Sequence, residues 1–240
     1  MFELPFDLPC PTDAVSPVKQ PSIFFGSFEF TEPIMVFTDL IVAAICFYAF
    51  YKLRVYDSSK VKFYFRTYFI GMGIATVLGG VLGHGMMMYV PFEFKLPGWL
   101  LSMVSIAVLE RACIEVARVH IRKRIGIFFS WLNIIELITF MTISFGTLCF
   151  FYVEVHSAYG LLIIVFSFSL FVYLRTRNEG SRLMMIGVGA GTIAATVYTL
   201  EVIISPWFTH IDLGHIFMSV ATIYFYLGGR KLLEIQSETA

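Results

Sequence analysis

Seven continuous apolar stretches, at about 33–52, 67–90, 98–118, 125–152, 157–174, 183–204 and 211–229, take up most of the 240-residue chain. A bilayer core about 30 Å thick needs roughly twenty apolar residues per spanning helix. The stretches lack the strict alternation of a lipid-facing barrel strand, so helices are the expected form. Short connectors make successive helices antiparallel neighbours. The expectation is an all-α polytopic membrane protein with a seven-helix transmembrane bundle over 33–230, a segment 1–32 before it and a short tail 231–240. Composition agrees: 58 % of residues are hydrophobic and only 14 % charged. A soluble core of this size has no room for so many large apolar side chains. Seventeen basic residues balance seventeen acidic ones, so no basic field exists to draw in nucleic acid.

Charge along the chain gives an orientation. Lys52, Arg54, Lys60, Lys62 and Arg66 follow the first stretch, and Arg118, Arg122, Lys123 and Arg124 the third. Arg175, Arg177 and Arg182 follow the fifth, and Arg230 and Lys231 the seventh. Only Lys19 and Lys95 fall on the opposite side, while Arg111 is inside a helix. The positive-inside bias therefore predicts an N-terminus outside and a C-terminus in the cytoplasm. The N-terminal thirty residues have no basic start followed by an apolar run, so no cleavable signal is expected. Cys10, Cys46, Cys113 and Cys149 lie far apart without a C-x-x-C spacing, and are expected to be buried thiols. Gly79-x-x-x-Gly83 and Gly187-x-x-x-Gly191 allow close helix approach, either within the bundle or across a homodimer seam.

Ionisable side chains inside a bilayer are costly and mark candidate sites. Asp39, His84, Glu201, Asp212 and His215 share one depth near the outer ends of their helices. Glu32, Glu93, Glu154, His156 and His210 adjoin them, with His156 expected in a water-exposed connector. Histidine and carboxylate are what a zinc-class ion binds. Asp212 and His215, three apart, project from one face of a helix. The expected metal ligands are His84, Asp212 and His215, with Asp39 and Glu201 as proton-handling groups. A second polar group is deeper: Glu110, Arg111, Asn133 and Glu136. There an ion pair of Arg111 with Glu110 or Glu136 is expected to hold two helices in register, with a proton or ion path as the alternative.

His84 late in the second stretch and His215 near the start of the seventh resemble the ligands of the CREST superfamily. That group joins alkaline ceramidases, progestin and adipoQ receptors and haemolysin-III-type proteins. The resemblance implies a seven-helix bundle holding zinc, with a Ser four residues before the first His and an His-x-x-x-His pair in the last helix. This chain has Gly80 and Ile211 at those two positions. The implied activity is metal-dependent hydrolysis of a lipid amide or ester near the outer leaflet, the ion supplying an acidified water. Two non-enzymatic readings stand beside it. His84 and His215 also suit the axial positions of a b-type haem, and the intramembrane acids suit an ion or proton transporter or sensor. A retinal protein is excluded, because the seventh stretch has no lysine for a Schiff base.

Overall fold

A computed structural model describes residue 10 and residues 20–238. Lys19 and most of the segment 1–32 lie outside the described residues. The described chain opens with an antiparallel hairpin, β1 (Ile23–Phe25) and β2 (Phe28–Phe30). Its two-residue turn holds Gly26 at φ +63°, the left-handed conformation that tight hairpins require.

The helices follow in order. α1 spans Pro33–Lys52, and α2 spans Lys60–Leu78 and runs on as a π-helical segment, Gly79–Gly85. α3 spans Leu96–Ala117 and α4 Lys123–Thr147. α5 (Phe151–Ala158) passes through a second π-helical segment, Tyr159–Val165, into α6 (Phe166–Thr176). α7 spans Glu179–Thr199, and α8 runs from His210 to Glu238. Six of the resulting rods are long and apolar enough to cross a membrane. The seventh, α3, is the central one. It packs against α2, α4, α5 and α6, and carries Glu110, Arg111 and Glu115. α1 lies between α2 and α8, and α7 between α8 and α6, which closes the ring.

The sequence ranges need two adjustments. The fifth rod begins at Phe151 rather than 157, which moves His156 from a connector into a helix. The last helix does not stop at Gly229, because Leu232 and Leu233 are buried against the bundle and keep it helical well into the segment expected to be a tail.

Helix α4 explains the solvent. Its buried residues are Gly126, Ser130, Asn133, Glu136 and Ser144. Its exposed ones include Phe128, Trp131, Ile135, Ile138 and Phe145. Small and polar inside with aromatic and aliphatic outside is the reverse of a water-soluble helix, and it fits a helix bathed in lipid. Close packing elsewhere relies on small residues. A β-carbon at Gly180 would lie 2.8 Å from the Gly228 carbonyl oxygen, and one at Gly187 would lie 2.6 Å from the Phe225 ring. Gly187 thus packs inside this chain, against α8.

Two cysteines depart from the expectation of buried thiols. Cys10 and Cys149 form a disulfide, whereas Cys46 and Cys113 are free and buried. At 139 positions apart, the two cysteines offered no spacing from which to infer the pair. The bond fastens the N-terminal segment to the turn between α4 and α5.

Candidate functional site

The site of His84 and His215 forms where the start of α1, the π-helical end of α2 and the first turns of α8 meet. The widened turn of Gly79–Gly85 holds His84 at its end, and such segments interrupt α-helices chiefly where a side chain must be re-aimed. The hairpin braces this end. Thr31 donates through Oγ1 to the His84 carbonyl and through its backbone N–H to the Gly85 carbonyl at 3.2 Å. Phe28 stacks on Tyr89 with centroids 4.9 Å apart.

The rings of His84 and His215 stand 6.4 Å apart between centroids at 71°. Nδ1 of His84 is 2.7 Å from Oε2 of Glu32. Nδ1 of His215 is 2.9 Å from the Thr38 hydroxyl oxygen. That hydroxyl gives its own proton to the Met35 carbonyl at 3.0 Å, so towards His215 it accepts. Nδ1 of each ring therefore donates, and in the neutral tautomer this puts the lone pair on Nε2. Asp39 Oδ1 lies 3.5 Å from Nε2 of His215, beyond ordinary hydrogen-bond length. In that tautomer the Nε2 lone pair of His215 and the buried Asp39 carboxyl face one another, an arrangement that a cation between them would complete.

Glycine makes that placement possible. A β-carbon at Gly80 would come within 2.9 Å of the Asp39 Cβ, so the residue where the resembled family has Ser leaves room for Asp39. Glu32 reaches His84 from a left-handed backbone, φ 46°, strain of the kind found at functional positions. Nearby Lys95 lies outside the spanning segments. Burial pushes its ammonium below the ordinary lysine range, and Glu32 opposes the shift.

The other expected residues are distributed as follows. Asp212 is fully buried. Its Oδ2 accepts from the Thr209 backbone N–H at 2.7 Å, the Thr209 hydroxyl at 2.9 Å and Gln20 Nε2 at 2.5 Å, and its Oδ1 has no hydrogen-bond partner among the described residues. Glu201 is exposed beyond the end of α7 at φ 50°. Sequence reasoning missed the roles of Thr38 and Gln20, which are ordinary polar residues until the fold sets them against His215 and Asp212.

The deeper polar group also differs from expectation. Arg111 Nε donates to Asn133 Oδ1 at 2.8 Å rather than pairing with a carboxylate. Asn133 Nδ2 donates to Glu110 Oε2 at 3.0 Å and to the Ala107 carbonyl at 3.1 Å. His156 is fully buried, not solvated. Its Nδ1 lies 2.8 and 2.9 Å from the two oxygens of Glu136, and its Nε2 lies 2.9 Å from the Met103 carbonyl oxygen. Among the described residues, Glu110, Glu136 and His156 are the one trio whose ligand atoms all lie within 4.8 Å of one another. His84, Asp212 and His215 are not drawn that tight.

Fold and site together define a polytopic helical protein of membrane type, with polar centres at one end and in the interior of the bundle. A family model, described as a family of unknown function (DUF6962), matches residues 34–234, and the chain belongs to that family. No curated protein and no solved structure matches it.

Proposed function

We propose that this is an integral-membrane, metal-dependent hydrolase that cleaves an amide or ester bond of a lipid at the extracytoplasmic face. The observation that carries the reading is the pair of bare Nε2 lone pairs on His84 and His215, with the Asp39 carboxylate beside the second. Two imidazoles sharing a zinc ion at about 2.0–2.1 Å stand about 5 Å apart between centroids. The observed 6.4 Å is one side-chain adjustment from that. Glu32 and Thr38 supply the outer hydrogen bonds that fix ligand tautomers in metal sites. Two imidazoles and a carboxylate are the donor types a zinc-class ion takes, and binding would have to draw His84, His215 and Asp39 closer together, since their ligand atoms do not all lie within 4.8 Å of one another. The donor set suits haem less well, because Asp39 occupies the side of His215 where a porphyrin face would lie.

Bound there, such an ion supplies Lewis acidity, polarising a carbonyl and lowering the pKa of a water. The chain's own residues do the rest. Glu32 and Thr38 hold the rings with Nε2 inward. Asp212 keeps one buried oxygen free to accept a proton and return it to the leaving group. The hairpin exposes Phe24 and Phe25, each 66 % accessible, at the level where aromatic rings anchor in headgroups. Seven spans with the N-terminus outside suit this reading. The Cys10–Cys149 bond supports the orientation, since it lies at the end opposite the basic clusters and disulfides persist on the oxidising side. The resemblance to the zinc-holding seven-helix superfamily points to the same chemistry.

The test is metal analysis of detergent-purified protein, with fluorescent N-acyl and O-acyl lipids as substrates. Bound zinc and chelator-sensitive release of acyl chains, both lost in His84→Ala and His215→Ala, are expected. Metal content unaffected by either substitution, together with no acyl release, sinks the reading.

A further inference from the structure

We infer that Glu110, Glu136 and His156 form a second site, buried in the bundle, that binds a divalent zinc-class cation through His156 Nδ1 and one oxygen from each carboxylate. The proximity of two acids would not carry this by itself. Glu110 is fully buried and its Oε1 has no hydrogen-bond partner among the described residues, although an unpaired carboxylate oxygen in an apolar interior is costly. Its other oxygen is held by Asn133, which is itself fixed by the Ala107 carbonyl and by Arg111. Gly160 gives Oε1 its place: a β-carbon there would stand 2.5 Å from it.

The imidazole is set up in the same way. Its Nε2 faces the Met103 carbonyl, which only accepts, so Nε2 carries a proton. That is the tautomer a metal-ligating histidine adopts when the other ring nitrogen binds the ion. In the ion-free arrangement Nδ1 and Glu136 also share a proton, because two acceptors do not sit 2.8 Å apart without one. Ligand atoms around a tetrahedral zinc ion at about 2.0–2.2 Å lie about 3.3–3.6 Å apart, so the 2.8 Å between His156 and Glu136 has only to open by about half an ångström to become a coordination edge. Binding exchanges the Nδ1–Glu136 proton for the ion: the proton leaves to solvent and the lone pair and Glu110 Oε1 take the dication. With both carboxylates ionised, the trio goes from net −1 to neutral. A low-dielectric interior favours that change.

The site is independent of the His84–His215 pair and is tested in its absence. Full-length protein carrying His84→Ala and His215→Ala is stripped with chelator and titrated with Co2+ and Zn2+. The readouts are bound metal, cobalt ligand-field absorption and protons released in weak buffer. Expected are one equivalent of ion and about one proton released per ion. Adding Glu110→Gln, which keeps shape and removes charge, is expected to weaken binding at least tenfold, and His156→Ala is expected to abolish it. Gly160→Ala keeps all three ligating side chains but displaces Glu110 Oε1, and is also expected to weaken binding tenfold. It carries the test if a ligand variant fails to elute as folded protein. No uptake by the starting double variant, or uptake unchanged by Glu110→Gln and Gly160→Ala, overturns the inference and leaves the trio a protonated ion pair. Loss of metal only through His84 and His215 would uphold the outer site and reject this one.

Discussion

At the scale of single residues, the proposed metal site rests on what hydroxyls and carboxylates do to imidazoles. Thr38 matters because its hydroxyl hydrogen is already spent on Met35, which fixes the His215 tautomer. Thr38→Val removes that acceptor with little change of shape, and metal affinity at the outer site is expected to fall by about 10–100-fold. Competition with a chromogenic chelator reads this directly; affinity within twofold of wild type would remove Thr38 from the site. Gly80→Ser brings the chain closer to the resembled superfamily but collides with Asp39. Overpacking of this kind costs about 1–3 kcal/mol, so a lower melting temperature in detergent is expected together with weaker metal binding. A variant of unchanged stability would show that Asp39 has another place to go.

At the scale of elements, helix ends and helix faces carry distinct signals. Arg177 closes α6 in the left-handed conformation, φ 55°, and is exposed. A non-glycine residue pays about 1–2 kcal/mol for that backbone. Arg177→Gly is therefore expected to raise the melting temperature by a few degrees, less whatever the Arg177–Tyr173 ring contact contributes. A fall would mean that the contact outweighs the strain. Gly228→Leu tests the α7–α8 seam in the opposite sense. Its β-carbon would meet the Gly180 carbonyl at 2.9 Å, and with no side chain to yield, the helices must separate. Loss of folded, monodisperse protein is expected by gel filtration. The α4 face needs no such contact, because its exposed aromatic and aliphatic residues face lipid.

On the scale of the whole molecule, the proposed orientation rests on the disulfide and the charge pattern together. Reduction of Cys10–Cys149, or Cys149→Ser, reopens a loop of well over a hundred residues. That loses about 2–5 kcal/mol in the chain-entropy view. The expected result is a lower melting temperature and a mobility shift on non-reducing gels, with Cys46 and Cys113 unlabelled by thiol reagents until denaturation. A membrane-impermeant maleimide applied to intact cells should label reduced Cys10, the half-buried member of the pair, and spare a cysteine placed at Lys231. The reverse pattern would invert the orientation.

Apolar run length alone made the helical class and most of the rods legible, because a bilayer demands about twenty apolar residues per crossing whatever the neighbours are. The start of α1 at Pro33 is readable for a local reason, since proline is preorganised for a helix's first turn. His84, His215 and Asp39 were also legible, as ionisable groups in lipid carry their own anomaly. Glu32 on His84, Thr38 on His215 and the burial of His156 between Glu136 and Met103 were not. These pairs are 52, 177, 20 and 53 positions apart in sequence. Hydrophobic periodicity says which face of a helix is buried, but not which polar group of another helix it meets there. The same holds for Cys10 and Cys149 and for the trio around Glu110. Composition determined what solvent this chain folds in; only the tertiary packing decided which lone pairs were left facing one another without a proton.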